Sequence, residues 1–304
     1  MGLTQRLILA AFVVGAAIFV WLLWPSYTSI SIPVGVSSQS PGMVERGAYV
    51  TTAAGCVSCH TDAKRGGAQF AGGRVLETPF GTFRSPNITS DSETGIGQWD
   101  DAAFLRAVFA GEGVHGEQLY PVFPYTSYSA MRVEDALSIK AYLWSLPPAR
   151  NEVEPHALSF PFSWRGLMKG WKLLFFASPE PLTDDATKNQ TWNRGRYLVT
   201  ALGHCAECHT PRSSLGVLDH SQALRGNRQG PDGWSVPALV GKSKNDFAQW
   251  SVEEIAEYLK SGEKPNFDSA QGPMAEVIED NTKHLSDQDR RAMAYYLKSL
   301  NQQN

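Results

Sequence analysis

The sequence has little cysteine and almost no excess of charge of either sign. Only four of its 304 residues are cysteine, and the formal net charge is −3 at pH 7. Nucleic-acid binding normally requires a basic face, so no nucleic-acid partner is expected. No segment resembles a flavin or pterin site, which argues against a dehydrogenase that itself acts on organic substrates. The hydrophobic fraction of 42% is typical of folded protein rather than of a disordered chain.

All four cysteines belong to two C-x-x-C-H motifs. The first motif contains Cys56, Cys59 and His60, and the second contains Cys205, Cys208 and His209. A disulfide framework would leave the histidine after each second cysteine unexplained. Structural zinc would need two such pairs within a single knuckle, whereas these pairs lie a whole domain apart. The motif is the attachment signature of c-type haem.

The spacing within each motif explains the chemistry. Residues three apart lie on one face of a helix, so both cysteines of a motif can form thioethers with one haem. The adjacent histidine can then bind the iron from the same side. We therefore predict two covalently attached haem c groups, with His60 and His209 as iron ligands.

The N-terminal segment Leu7–Trp24 contains no charged residue and is close to the minimum length for crossing a bilayer. Arg6 precedes it, which favours a cytoplasmic N-terminus. A cleaved signal peptide is the main alternative, but no small-x-small cleavage site follows Trp24. A buried core helix is the third interpretation. We expect a single-pass protein of the bacterial inner membrane, with its haem domains facing the periplasm.

An internal repeat organises the remaining chain. Residues 46–50 (RGAYV) lead into the first haem motif, and residues 194–198 (RGRYL) lead into the second, where His204 is a one-residue insertion. Helical stretches follow in each unit, and a further helix closes each at 134–145 and 287–300. The fold is therefore expected to be mainly α, with an N-terminal transmembrane helix followed by two cytochrome c domains.

The predicted domain boundaries follow from this repeat. They are an anchor at 1–25, a tether at 26–42, a first cytochrome c domain at 43–147, an interdomain linker with a short helix at 148–191, and a second cytochrome c domain at 192–304. The helix expected in the linker is Ser163–Phe176. Its apolar stripe contains Leu167, Trp171, Leu174 and Phe175. Packing between the two domains is the preferred interpretation of that stripe, and a membrane-surface or partner-docking helix is the alternative.

The sixth iron ligand decides what each haem can do. A methionine there fills the site, raises the potential and favours electron transfer, whereas an open site permits peroxide chemistry. In the second unit we predict Met274, in a loop ahead of the last helix, as the ligand. In the first unit we predict Met131, while His115 would instead give a bis-histidine haem of lower potential.

A histidine that binds iron also needs its second ring nitrogen held in place. Pro86 and Pro237 occupy matching loops after the two haem motifs. We predict that their backbone carbonyls accept hydrogen bonds from the two imidazoles, although both prolines could also serve only as turn residues.

Several further segments resemble one family of multihaem proteins. The first unit carries segments at 71–73, 79–82, 86–89, 94–97 and 119–128, and the second carries segments at 203–205, 208–212 and 272–274. In these segments the chain resembles the cytochrome c subunit of membrane-bound alcohol dehydrogenases. Related cytochromes accompany molybdenum-containing aldehyde and N-heterocycle dehydrogenases. The resemblance spans Met43 to Leu300.

The sequence departs from this family in two respects. Subunits of the alcohol dehydrogenase type have a third haem domain, whereas this sequence has two haem motifs. Many relatives have methionine where Phe123 stands, and variants with phenylalanine there often have methionine where Met131 stands. By analogy, the resemblance supports Met131 as the ligand.

The resemblance implies an electron-transfer subunit rather than an enzyme. Electrons would arrive from the catalytic subunit of a periplasmic dehydrogenase and leave to quinone, to another cytochrome or to an oxidase of the respiratory chain. The rival is a di-haem enzyme of the peroxidase or thiosulfate-oxidising type, which requires one haem with an open position.

Overall fold

The computed structural model describes residues 2–25, 27–177, 180–241 and 246–302, and these residues are mainly helical. The α-helices are α1 (Leu3–Leu23), α2 (Met43–Ala53), α3 (Cys56–His60), α4 (Asp101–Ala110), α5 (Tyr125–Tyr128), α6 (Val133–Ser145), α7 (Leu167–Phe175), α8 (Gln190–Tyr197), α9 (Ala206–His209), α10 (Val252–Ser261), α11 (Pro273–Asp280) and α12 (Asp287–Gln302). Helices α2 to α6 form the first unit, and α8 to α12 form the second. Each unit follows the predicted order of helix, haem motif, loop and further helices.

A small antiparallel sheet accompanies the first unit and was not predicted. Its strands are β1 (Val75–Thr78), β2 (Gly81–Arg84) and β3 (Ala157–Leu158), in the order β1-β2-β3. Leu76 pairs with Phe83 between the first two strands. Because β3 comes from the segment expected to be a linker, that segment is attached to the first unit by backbone hydrogen bonds.

The first and last helices of each unit cross with their backbones in contact. A Cβ atom on Gly47 of α2 would lie 1.8 Å from the carbonyl oxygen of Ser138 in α6. A Cβ atom on Gly195 of α8 would lie 2.0 Å from the carbonyl oxygen of Ala292 in α12. Both glycines belong to the repeated RG-x-Y segment, so the repeat sets the same close crossing twice.

Local signals in the sequence place several helix ends correctly. Ser251 caps α10, because its side chain accepts a hydrogen bond from the backbone of Glu254 while the Glu254 carboxylate accepts one from the backbone N–H of Ser251. This reciprocal pair is a capping box. Gly262 then ends the helix in a left-handed conformation.

Helix α1 is long and apolar enough to cross a membrane, with a mean hydropathy of 2.4, and none of it is buried inside the protein. Its last turns contact α7 and the turn that precedes α7. The rings of Phe19 and Trp164 lie 5.8 Å apart, and the Lys169 ammonium donates to the carbonyl oxygens of Trp21 and Trp24. The end of the hydrophobic helix is thus attached to the segment that was expected to be a linker.

The apolar stripe of α7 does not pack as preferred from the sequence. Leu167 and Trp171 are partly covered, but Leu174 is 73% exposed and Phe175 is 41% exposed. The face that is buried is instead the one carrying Met168 and Lys169. The expectation of packing between two domains is therefore wrong for half of the stripe, because the basic residues of this helix turn inward.

Candidate functional site

The first haem motif follows directly from helix α2. Gly55 adopts a left-handed conformation (φ 68°) that reverses the chain, and the short helix α3 then carries Cys56, Cys59 and His60. Glycine suits this position because it has no Cβ to clash there. The Nδ1 atom of His60 lies 2.8 Å from the carbonyl oxygen of Pro86.

The second motif reaches the same geometry with one more residue. Helix α8 ends in a π-helical turn at Leu198–Leu202, which is a wider turn that can hold an extra residue. His204 then takes the left-handed conformation (φ 39°) that Gly55 has in the first unit. The π turn therefore gives the inserted residue a structural place. In the second unit the Nδ1 atom of His209 lies 2.8 Å from the carbonyl oxygen of Pro237.

The two proline carbonyls are thus the acceptors predicted from the sequence. Each imidazole donates from Nδ1, which fixes the ring and leaves Nε2 as the nitrogen available to iron. Burial lowers the pKa of both imidazoles, and the hydrogen bonds to Pro86 and Pro237 offset only part of that effect. Both rings are therefore neutral at pH 7, which is the form that binds a metal.

The donor set fits haem rather than a metal held by the protein alone. None of the four cysteines is in a disulfide, and burial raises the pKa of the Cys56 and Cys205 thiols to about 12 each. Within the described residues, no group of three or more His, Cys, Asp or Glu side chains could hold a metal ion. Each motif thus offers two thiols for covalent attachment and one imidazole, which suits an iron that arrives inside its own macrocycle.

The predicted distal ligands lie in different surroundings. Met131 has no exposed surface and sits in the core, immediately before α6. Its competitor His115 is exposed, in a turn where its backbone N–H donates to Glu117. Met274 is partly buried against the core, but it lies in the first turn of α11 rather than in a loop. Proline at the first position of α11 starts this helix earlier than expected.

The two haem motifs face each other across the boundary between the units. The third residue of each motif bonds to the opposite unit: Ser58 donates to Asn281 (3.1 Å), and Glu207 accepts from Thr126 (2.9 Å) and Ser127 (2.6 Å). Both partners lie on or beside a short helix, α11 in one unit and α5 in the other. The pattern therefore has an approximate two-fold symmetry.

Further contacts join the same region. Arg74 donates to the backbone carbonyl of Ser58 (2.6 Å) and to the Glu276 carboxylate (2.5 Å), which links the first unit to α11. The Tyr128 hydroxyl donates to the carbonyl of Ala54 (2.6 Å), and its ring lies 5.4 Å from that of His204. His204 thus belongs to the second attachment turn and contacts Tyr128, which bonds to the first.

A second pair of symmetric contacts joins the outer helices. In one, the Tyr197 hydroxyl donates to Asp135 (2.5 Å), which also accepts from Arg46 (2.7 Å). In the other, the Tyr49 hydroxyl donates to Asp289 (2.6 Å), which also accepts from Arg194 (2.8 and 2.6 Å). Each aspartate is thus bound by an arginine of its own unit and a tyrosine of the other. We call these two groups the tyrosine clamps.

Comparison with known proteins finds one family model that matches both units. The family model described as cytochrome c matches residues 44–147 and 193–301. The chain is 41% identical over 295 residues to a "Diheme cytochrome c-type" protein of Cereibacter sphaeroides, covering 96% of each chain.

Two dehydrogenase components are also similar. The chain is 43% identical over 282 residues to one of the subunits of nicotinate dehydrogenase from Pseudomonas putida, covering 92% of this chain and 23% of that protein. It is 36% identical over 265 residues to the "Gluconate 2-dehydrogenase cytochrome c subunit" of Pantoea cypripedii, covering 85% and 59%. The chain thus spans less than two thirds of the length of these two relatives.

Proposed function

The chain belongs to the cytochrome c family, and from that premise we propose that it is a membrane-anchored di-haem cytochrome that passes single electrons from a periplasmic dehydrogenase to the respiratory chain. The predicted family, the mainly helical fold and the two covalently bound haem c groups are confirmed. The protein is an electron-transfer component rather than a catalytic enzyme, as its similarity to cytochrome subunits shows. The electron donor, the electron acceptor and the membrane topology are proposals.

The single observation that carries the site assignment is the repeated imidazole geometry. His60 and His209 each bond to a proline carbonyl at the same distance of 2.8 Å, in two motifs that share one plan. We assign the four cysteines of these motifs to haem attachment and the two histidines to iron. Bound haem supplies a one-electron couple, and the chain fixes the ring orientation that the couple requires.

We assign Met131 and Met274 as the distal ligands. Full burial of Met131 and exposure of His115 support this choice for the first haem. Two haems with filled sixth positions would leave no open iron for peroxide, which favours transfer over catalysis. We also propose that the two cytochrome c domains span residues 43–147 and 192–304.

The ligand assignment is tested by two variants with matched controls. Met131→Ala and Met274→Ala should each abolish the methionine-to-iron absorption of one haem and lower one midpoint potential, because a thioether favours reduced iron. His115→Ala is the control for the first haem. Met293→Ala is the control for the second, since Met293 lies in α12, is 3% exposed and packs in the core. If His115→Ala changes one haem while Met131→Ala changes neither, the first assignment is wrong.

We assign α1 as the single-pass anchor, with the two units in the periplasm. Its length, its hydropathy and its exposed surface support the assignment. A form in which a cleavable signal replaces residues 1–24 should be released as a soluble di-haem protein, whereas the full chain should fractionate with the inner membrane. Release of the full chain under the same conditions would contradict the anchor.

The electron donor we propose is the catalytic subunit of a periplasmic dehydrogenase, and the acceptor is quinone or another cytochrome or oxidase. Several relatives are cytochrome subunits of dehydrogenases, which supports the donor class. Affinity purification of the full chain from membranes should recover a dehydrogenase subunit. Its substrate should then reduce both haems anaerobically, and a purified dehydrogenase that leaves both haems oxidised would refute the pairing.

A further inference from the structure

An apolar surface lies beside the end of helix α1. It consists of Phe160, Leu173, Leu174 and Phe175, and we call it the apolar face. Their exposed fractions are 83%, 74%, 73% and 41%. Single exposed hydrophobic residues are common in soluble proteins. Three consecutive ones at 173–175, with Phe160 earlier in the same segment, are of the kind that usually marks a surface that binds something.

The charged side chains of the same segment bond to backbone carbonyls of other elements. Arg165 donates to the carbonyl of Gln118 (3.0 Å), and Lys169 donates to the carbonyl of Trp21 (3.0 Å). Lys172 donates to the carbonyls at 110 and 111 (2.6 and 2.7 Å). A helix on a water-exposed surface carries its charges outward and its leucines inward. In this segment the charged groups are bonded to the protein and the leucines are exposed. Its outer face is therefore unsuited to contact with water.

The location of the apolar face indicates what surrounds it. Lys169 bonds to the last carbonyls of α1, where a cation stabilises the negative end of the helix dipole. The ring of Trp164 lies beside Phe19, within the same last turns. Tryptophans such as Trp21 and Trp24 are typical of the level where a spanning helix leaves the hydrocarbon. The segment that carries the apolar face is thus attached to the end of α1, whose own surface is apolar and exposed.

We propose that the apolar face inserts into the outer leaflet of the lipid bilayer that α1 crosses. This inference rests on the proposed membrane anchor. The face acts as a second attachment beside α1 and fixes the tilt of the two haem units above the membrane. The chain would then be held in the membrane at two adjacent places rather than by α1 alone.

The test uses the full di-haem chain in phosphatidylethanolamine–phosphatidylglycerol vesicles. A nitroxide spin label is attached to a cysteine introduced as Leu173→Cys, and its collisions with oxygen and with a water-soluble nickel chelate are compared. Oxygen is enriched in lipid and the chelate in water. Val13→Cys in the middle of α1 is the lipid reference, and Phe267→Cys, at a side chain 99% exposed in the second unit, is the water reference. Retention of two haems per chain checks each variant's folding.

We expect the oxygen-to-chelate collision ratio at 173 to lie above that at 267 and below that at 13. A ratio at 173 equal to that at 267, with a lipid-like value at 13, would overturn the inference and leave the anchor intact. A water-like value at 13 would refute the anchor itself, and the inference with it. Shielding of 173 from both reagents would mean that protein covers the face, which also overturns the inference.

Discussion

Tyr197→Phe removes one hydroxyl group from the boundary between the two units. The surrounding atoms determine how far the free energy of unfolding falls. The hydroxyl donates to the Asp135 carboxylate at 2.5 Å and accepts from the backbone N–H of Arg132 at 3.1 Å. The Tyr197 side chain is 1% exposed, and that of Asp135 is 5% exposed. Water therefore has little access to replace either hydrogen bond.

The magnitude follows from the loss of a buried hydrogen bond to a charged group. Such bonds contribute about 1.5–3 kcal/mol to stability, and an orphaned N–H adds to the loss. We expect Tyr197→Phe to lower the free energy of unfolding by about 3 kcal/mol. Tyr49→Phe, at the symmetric clamp, should cost about 1 kcal/mol, because Tyr49 is partly exposed and Asp289 keeps two bonds from Arg194.

The assay is equilibrium urea unfolding of the purified holoprotein in mild detergent, followed by circular dichroism. Tyr295→Phe is the matched control, because Tyr295 is 39% exposed and, among the residues that the structure describes, its hydroxyl has only a long contact of 3.4 Å with Asn189. Equal losses at Tyr197 and Tyr49 would refute the argument from burial. Losses no larger than that of the control would mean that the clamps do not hold the units together.

Three further predictions follow from the same interfaces. Gly47→Ala should destabilise the protein by about 3 kcal/mol or more in the same unfolding assay, since the new methyl group meets a backbone carbonyl, whereas Gly170→Ala, with nothing within 4 Å, should not. Cys56→Ala and Cys205→Ala should each remove one haem from a covalent haem stain and leave the other. Burial raises the pKa of the Asp289 carboxyl, but the Arg194 and Tyr49 bonds outweigh it and depress that pKa. Its stabilisation is therefore present above about pH 4 and lost as the pH falls through the depressed value, so the effect of Tyr49→Phe should shrink in acid titrations.

The features that the sequence predicted are those with a short-range cause. The haem attachment turns and the closing helices depend on residues three or four positions apart. The acceptor carbonyls of Pro86 and Pro237 were found by comparing the two repeats, because matching loops in a repeat occupy matching places. Spacing along the chain was sufficient for each of these.

The features that were wrong or missed depend on contacts between distant segments. The apolar stripe of α7 was assigned to packing because the sequence does not reveal that Lys169 and Lys172 bond to carbonyls at residues 21, 24, 110 and 111. The β-sheet was missed because its third strand comes from the segment predicted to be a linker. Four-residue and two-residue strands are also too short to show a clear alternation.

The tyrosine clamps show what an internal repeat can still reveal. Tyr49 and Tyr197 occupy the same position in the RG-x-Y segment, and both were visible in the sequence, but a repeat alone does not tell whether a residue contacts its own unit or the other. The structure shows that the arginine of the segment bonds within its unit and the tyrosine bonds across.

The tyrosine contacts across the boundary between the units bear on electron transfer between the two haem groups. The rate of such transfer falls steeply with separation, so the boundary between the units must resist stretching. The tyrosine clamps join the outer helices of the two units, and Ser58 and Glu207 join the region of the haem motifs, so the boundary is bonded in both places. Both inner contacts come from within the haem motifs, so Ser58 and Glu207 hold each attachment turn against the opposite unit, next to the cysteines assigned to haem attachment.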